Sequence, residues 1–265
     1  MNNNFKHKKK YGQNFLNNQN KILDEIISVS NISKSDNILE IGPGQGALTE
    51  RLLNNANFVT SVEIDADLEK MLRTKFQNID NFRLIMGDFL ELDLNKLIKE
   101  KVKIVANIPY YITSPIIQKI IDNRSFIENI YIMVQKEVAE RICATKGKER
   151  SVLTLSVEYF GKAKYLFTVP KEAFTPAPKV DSAFMSIELY KDNPYISQVE
   201  EEIFFKYIKA AFANKRKTIL NNLSNLDFSK DKIKEILLKT DISEMERAEN
   251  ISIEKYIELI LLFEA

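Results

Sequence analysis

The chain has 265 residues, 45% of them hydrophobic, with 38 Lys+Arg against 37 Asp+Glu and a formal net charge of +1. That length and apolar content suit one large domain or a large and a small one, and so balanced a charge gives no global field of the kind that marks a polyanion binder, though it leaves room for local basic patches. A single cysteine, Cys143, excludes an intrachain disulfide, fits a reducing cytosol and reads as a small, partly buried hydrophobe.

The first residues, MNNNFKHKKKYGQNF, are basic but lack the apolar core of a signal peptide. No apolar run approaches the roughly 20 residues needed to span a bilayer. A cytoplasmic protein with no membrane partner is therefore expected. NKILDEIISVSNI carries apolar residues at helical spacing. Strand-like and helix-like segments then alternate. NILEIG reads as a buried strand that runs into the Gly-rich GPGQG and the helix ALTERLLNN. NFVTSVEID is a second strand and ADLEKMLRTKFQ its helix. NFRLIMGD is a third strand, KVKIVANIP a fourth and IENIYIMVQ a fifth. Between the last two, SPIIQKIID reads as a helix with Pro115 in its first turn, where a missing N–H costs nothing. Such alternation predicts a mainly parallel sheet covered by helices on both faces.

KAKYLFTVP and VDSAFMSIELY add two strands, for a sheet of seven. Only the Pro-rich KEAFTPAPK joins them, and a connection without a crossover helix predicts antiparallel strands. Beyond YKDNPY, the segments VEEEIFFKYIKAAFANK, DKIKEILLKT and IEKYIELILLF are amphipathic helices. The Asp-Asn-Pro punctuation near Lys191 to Tyr195 marks a boundary. It predicts a Rossmann-like α/β domain over 1–192, basic segment included, and a small α-helical domain over 193–265.

Gly42, Gly44 and Gly46 follow the first strand of the sheet and precede a helix. Glycines let a backbone approach a ligand, and a helix start offers unpaired N–H donors. Gly42-x-Gly44-x-x-Ala47 also satisfies the dinucleotide pattern, and Glu63 lies 21 residues beyond Gly42, where a ribose-binding acid is expected. A nicotinamide dinucleotide and S-adenosyl-L-methionine both fit these residues alone. Three further residues favour the second. Glu40 stands beside the loop in EIGPGQG, where a carboxylate suits a sulfonium and an ammonium but opposes a pyrophosphate. Asp88 ends the third strand, placed to accept from an adenine amine, and Asn107 ends the fourth in NIPY. All these strand ends fall on the carboxyl edge of one parallel sheet, where such folds bind ligands.

Asn107, Ile108, Pro109 and Tyr110 suit a particular chemistry. The exocyclic amine of a nucleobase is a poor nucleophile because its lone pair is delocalised into the ring. A site that accepts hydrogen bonds from its protons draws the nitrogen towards tetrahedral geometry and frees the pair. The side-chain oxygen of Asn107 and the backbone carbonyl of Ile108 are two such acceptors. Pro109 restricts the residue before it and so stiffens that carbonyl's direction. Tyr110 offers an aromatic face for the base, a stack worth about 1–3 kcal/mol. Positioning and electrostatics then carry the reaction, with no metal and no essential general base.

With these residues in view, the chain resembles the ribosomal RNA adenine dimethyltransferase family, and most nearly its small-subunit dimethyladenosine transferases. The resemblance runs from KKKYGQNFL through EIGPGQGALT, VEID, GDFLELD, NIPYYITSPII, VQKEVAERI and FTPAPKVDSAF to FANKRKTILNNL and RAENISIEKY. It implies methyl-donor contacts at Asn14, Leu16, Gly42, Glu63, Asp88 and Asn107, and base contacts from Asn107 to Tyr110 with further stacking at Phe174. It implies dimethylation of two adjacent adenosines in a hairpin loop near the 3′ end of 16S rRNA, with an immature 30S subunit as partner and a monomeric enzyme. Asp181 in PKVDSAF, Pro115 and ANKRKT favour this branch over the 23S rRNA methyltransferases of the macrolide-resistance type. Tyr111 departs from the family, which usually has Asn there. The segments KHKKKYG, with His7, and NKRKT (Asn214 to Thr218) are expected to contact phosphates.

Overall fold

Short apolar runs between polar helices assemble into one twisted sheet in the computed structural model, which describes residues 14–17, 20–145, 147 and 150–265. A two-residue strand β1 (Phe15–Leu16) and helix α1 (Asn20–Val29) come first. Then follow β2 (Asn37–Ile41), α2 (Ala47–Asn55), β3 (Phe58–Glu63), α3 (Ala66–Lys75), β4 (Phe82–Met86) and the short α4 (Leu94–Leu97). After these come β5 (Val102–Asn107), α5 (Thr113–Asp122), β6 (Ile127–Gln135), α6 (Lys136–Ile142), α7 (Val152–Phe160), β7 (Gly161–Val169), β8 (Phe174–Thr175) and β9 (Ser182–Leu189). The C-terminal part is helical: α8 (Glu201–Ala211), α9 (Ile219–Leu223), α10 (Lys230–Lys239) and α11 (Ile253–Glu264).

The seven-stranded sheet has the order β4-β3-β2-β5-β6-β9-β7. The pairs β3–β4, β2–β3, β2–β5 and β5–β6 are parallel, and β6–β9 is antiparallel. Tyr190 N–H donates to Phe160 O at 2.9 Å, so the end of β9 lies beside the beginning of β7, the antiparallel sense expected. β2 reads NILEI and is buried after its first residue, as a central strand covered on both faces must be. Helix α3 is held by its ends: Asp65 caps Asp67 N–H, with Asp67 and Glu69 in the first turn and Arg73 and Lys75 in the last. The chain order reverses between β2 and β5. Their carboxyl ends therefore flank the switch point at which open α/β sheets bind ligands.

Several features were not foreseen. β1 pairs antiparallel with β8, matching Phe15 to Thr175 and Leu16 to Phe174; two residues are too few to show a period. α6 and α7 fill the stretch after β6. α7 reads VLTLSVEYF, apolar nearly all round, so it has no stripe to announce a helix; a reciprocal cap between Ser151 and Thr154 starts it.

The chain forms two compact units, Met1–Ala139 with Lys164–Glu188, and Glu140–Ala163 with Leu189–Ala265. The last crossing is at Glu188, and α7 groups with the C-terminal helices. The reason is its aromatic end. Tyr159 stacks on Phe204 of α8 with ring centroids 4.3 Å apart, and its hydroxyl donates to Val199 O at 2.6 Å. Thr218, Ser229 and Ser252 cap α9, α10 and α11. Among the described residues no helix is long and apolar enough to cross a membrane.

Candidate functional site

The glycine loop leaves β2 through three left-handed residues, Gly42, Gly44 and Gly46, with φ of 69°, 58° and 77°. Gly42 N–H donates to Val62 O at 2.9 Å, which ties the loop to β3. Gly44 must lack a side chain for a second reason: a Cβ there would lie 2.7 Å from Cδ1 of Phe15, whose ring rests on it. At Gly42 a Cβ would stand 3.9 Å from the Asn107 carbonyl, in the gap between the two strand ends. The loop is thus a cradle that side chains would fill.

Glu63 ends β3 and is buried. Its Oε2 accepts from Gly44 N–H at 3.1 Å and its Oε1 from Asp65 N–H at 2.8 Å. Burial raises its pKa, and these amide hydrogen bonds partly offset the rise. A carboxylate offers about four lone-pair sites, so Glu63 can still accept from a hydroxyl. Glu40 is placed differently from the expectation. It lies wholly buried behind the loop, and its Oε2 accepts from Ser61 Oγ at 2.6 Å and Thr49 Oγ1 at 2.7 Å. It ties β2, β3 and α2 together and does not line the cleft. Burial pushes its pKa up to about 7.

Across the switch point, Asn107 ends β5 beside Met133 of β6. Its Nδ2 donates to Asn14 O at 3.1 Å. Asn14 precedes β1, which β8 holds in place. Ile108 is anchored by a buried side chain and by its N–H, which donates to Met133 O at 3.3 Å. Pro109, with φ −61° and ψ 132°, turns the chain into a single helical turn over Tyr110–Ile112. Tyr110 is half-buried and its hydroxyl shares a hydrogen bond with Ser182 Oγ. Burial raises the phenol's pKa. The neighbouring Tyr111 is 59% exposed.

One cleft gathers Asn14, Phe15, Gly42, Gly44, Glu63, Ile64, Asn107, Ile108, Pro109 and Tyr110. Eight residues singled out in the sequence meet there. Asp88 lies on the same edge, since the preceding Gly87 N–H donates to Glu63 O at 2.8 Å; its own Oδ1 accepts from Leu90 N–H at 2.9 Å. Leu16 and Phe174 are cross-strand partners buried in the core. Phe174 is 3% exposed and presents no ring face to the cleft in this conformation, which corrects the expectation that it stacks on a base. Phe15, Ile64 and Ser182 were missed. Phe15 had one signal, its place between Asn14 and Leu16; the other two follow from pairing that a single sequence does not reveal.

The cleft fits a nucleoside-bearing methyl donor. It has a carboxylate for hydroxyls at β3, a side-chain-free loop, and a neutral amide with an aromatic ring at the opposite wall. Among the described residues no group of three or more His, Cys, Asp or Glu can hold a metal ion.

In the helical unit, Lys215, Arg216 and Lys217 are exposed on a turn between α8 and α9. Lys217 N–H donates to Asn214 O at 2.9 Å, and the buried Asn222 braces the turn by donating to Ala211 O at 2.6 Å and Asn214 O at 3.2 Å. The other basic segment, KHKKKYG with His7, lies outside the described residues.

The profile of the family described as ribosomal RNA adenine dimethylase matches residues 4–265. A protein of Fusobacterium nucleatum named ribosomal RNA small subunit methyltransferase A is 64% identical over 260 residues, covering 98% of each chain. One of the same name from Alkaliphilus oremlandii is 42% identical and covers 95% of this chain and 90% of its own. Among solved structures, a dimethyladenosine transferase from Plasmodium falciparum superposes with a TM-score of 0.78 at 28% identity, covering 94% of this chain and 97% of that one. The 23S rRNA methyltransferase ErmE superposes with a TM-score of 0.74 at 24% identity, covering 95% and 100%, a likeness of fold.

Proposed function

This chain belongs to the ribosomal RNA adenine dimethylase family and is a methyltransferase, and from that premise we propose that it dimethylates the N6 amines of two adjacent adenosines in the 3′-terminal hairpin loop of 16S rRNA. The substrate in this reading is the immature 30S subunit, the methyl donor is S-adenosyl-L-methionine, and the enzyme works as a cytoplasmic monomer in small-subunit biogenesis. The relatives named for the small subunit support that choice of RNA.

The observation that carries the chemistry is the orientation of Asn107. With Nδ2 committed to the Asn14 carbonyl, Oδ1 is left to accept from an incoming amine. When bound, S-adenosyl-L-methionine supplies a sulfonium methyl, which the amine's lone pair takes up as the carbon–sulfur pair returns to sulfur. Asn107 Oδ1 and the Ile108 carbonyl hold the two amine protons and orient the lone pair. Pro109 fixes the direction of that carbonyl, and Tyr110 stacks against the base. Glu63 accepts from ribose hydroxyls, Asp88 from the donor's adenine amine, and Asn14, Leu16 and Gly42 contact the donor. The surplus proton leaves to water after transfer, so no residue need act as a base. Lys215, Arg216 and Lys217 of the helical domain over 193–265 neutralise phosphates.

The test is labelled methyl transfer to unmethylated 30S particles, followed by mapping. Two adjacent dimethyladenosines in the 3′-terminal hairpin are expected. Labelling of purified 23S rRNA without labelling of 30S particles would overturn the reading.

A further inference from the structure

Tyr110 is held at both ends of its side chain. At the backbone, Ile112 N–H donates to Pro109 O at 3.3 Å and Thr113 Oγ1 donates to Tyr110 O at 3.1 Å, which fixes the turn that carries it. At the phenol, the hydroxyl meets Ser182 Oγ. Ser182 is fully buried, begins β9 and lies opposite Gln135 in the sheet. Asp181 before it is pinned twice: its Oδ1 accepts from Lys171 N–H at 3.1 Å and its O from Lys136 N–H at 3.0 Å. The ring thus spans from the exit of β5 to a rigid mount at the head of β9. Burial keeps the phenol protonated, so this hydrogen bond persists at neutral pH.

We propose that Ser182 is a positioning residue that fixes the Tyr110 ring and thereby sustains the second methyl transfer to each adenine. The inference rests on the functional reading above. An unmethylated amine has two N–H donors, enough for both Asn107 Oδ1 and the Ile108 carbonyl. After one transfer a single N–H remains, one acceptor loses its partner, and the amine is aligned by one hydrogen bond and the stack. The ring then carries a larger share of the positioning. A ring free to swing slows the first transfer modestly and the second more, so monomethylated product accumulates. Both transfers have the same balance, one N–C bond formed, one methyl–sulfur bond broken and one proton lost to water, so no further reactant enters.

The experiment compares Ser182→Ala, Tyr110→Phe, their combination and Ser182→Thr on unmethylated 30S particles. Nuclease digestion and mass spectrometry separate mono- from dimethyladenosine at equal total methyl incorporation. Each of the first two variants removes one partner of the same hydrogen bond, and the initial rate should fall about two- to tenfold. The ratio of mono- to dimethyl product should rise several-fold in each, the double variant should match the singles, and Ser182→Thr, which keeps the hydroxyl, should restore the wild-type ratio. Tyr110→Phe changes a half-buried atom only, so it tests the idea even where Ser182→Ala folds poorly. A wild-type ratio in Tyr110→Phe, or additive effects in the double variant, overturns the proposal. A wild-type enzyme that makes no dimethyladenosine would instead defeat the functional reading beneath it.

Discussion

Asn107 Nδ2 donates to the backbone carbonyl of Asn14 at 3.1 Å, joining the end of β5 to the residue just before β1. A carbonyl can only accept, so this contact decides which side of the amide carries nitrogen and which carries oxygen. Replacing Asn107 by Ala removes the oriented acceptor, and loss of one such contact typically costs about 10²–10³-fold in rate. Labelled transfer should fall by that order while 30S binding, measured by filter retention, stays near wild type. Equal loss of both would contradict the role.

Gly44 and Phe15 compete for one position. Gly44→Ala would put a Cβ 2.7 Å from Phe15 Cδ1, at a φ of 58° that costs a non-glycine residue about 1 kcal/mol or more. Phe15 must then leave the loop and loosen β1, which follows Asn14. Methyl-donor affinity by calorimetry should drop about tenfold, roughly 1.4 kcal/mol. Adding Phe15→Ala removes the clash, so the double variant should bind no worse than Gly44→Ala alone. Strictly additive losses would show that the two residues do not collide.

Much of this was readable in the sequence because parallel strands announce themselves. NILEI, VKIVAN and IENIYIMVQ are near-continuous apolar runs, and the carboxyl ends of β2, β3, β4 and β5 bring Gly42, Glu63, Asp88 and Asn107 to one edge. What escaped depends on contacts between segments distant in the chain. β1 and β8 are two residues each and pair across 158 to 160 positions, so no local period marks them. The mounting of Tyr110 on Ser182 crosses 72 positions. Glu40 was legible as an acid beside the loop, but its side depends on Thr49 and Ser61, hydroxyls that look unremarked in a helix and a strand.

Glu40 also sets a pH dependence. Its carboxyl has a pKa of about 7 in the fold against an ordinary 4.5, chiefly through burial. Below the ordinary value both states are protonated and the contribution to stability is complete. As pH rises from about 4.5 to about 7 the unfolded chain ionises first, so stability falls, and above about 7 the change stops. The loss is at most about 3 kcal/mol, from roughly 1.4 kcal/mol per pKa unit. Urea unfolding at pH 5 and pH 8 should therefore show a smaller decline for Glu40→Gln than for wild type. Equal declines would mean that Glu40 does not titrate in this window.

The exposed turn of Lys215, Arg216 and Lys217 separates binding from chemistry. Each phosphate contact contributes about 0.7–0.9 to the slope of log affinity against log salt. Replacing all three by Ala should reduce that slope for 30S particles by about 2–3 and weaken binding most at low salt. Methyl-donor affinity, and transfer at saturating particle, should stay at wild-type levels. Asn222→Ala leaves the charges in place but removes the brace that donates to Ala211 O and Asn214 O, leaving a buried carbonyl without its donor. It should cost about 1–3 kcal/mol of stability in urea unfolding and lower the salt slope by less than the triple variant. An unchanged slope in the triple variant would place the phosphate contacts on another surface, whatever the stability of Asn222→Ala.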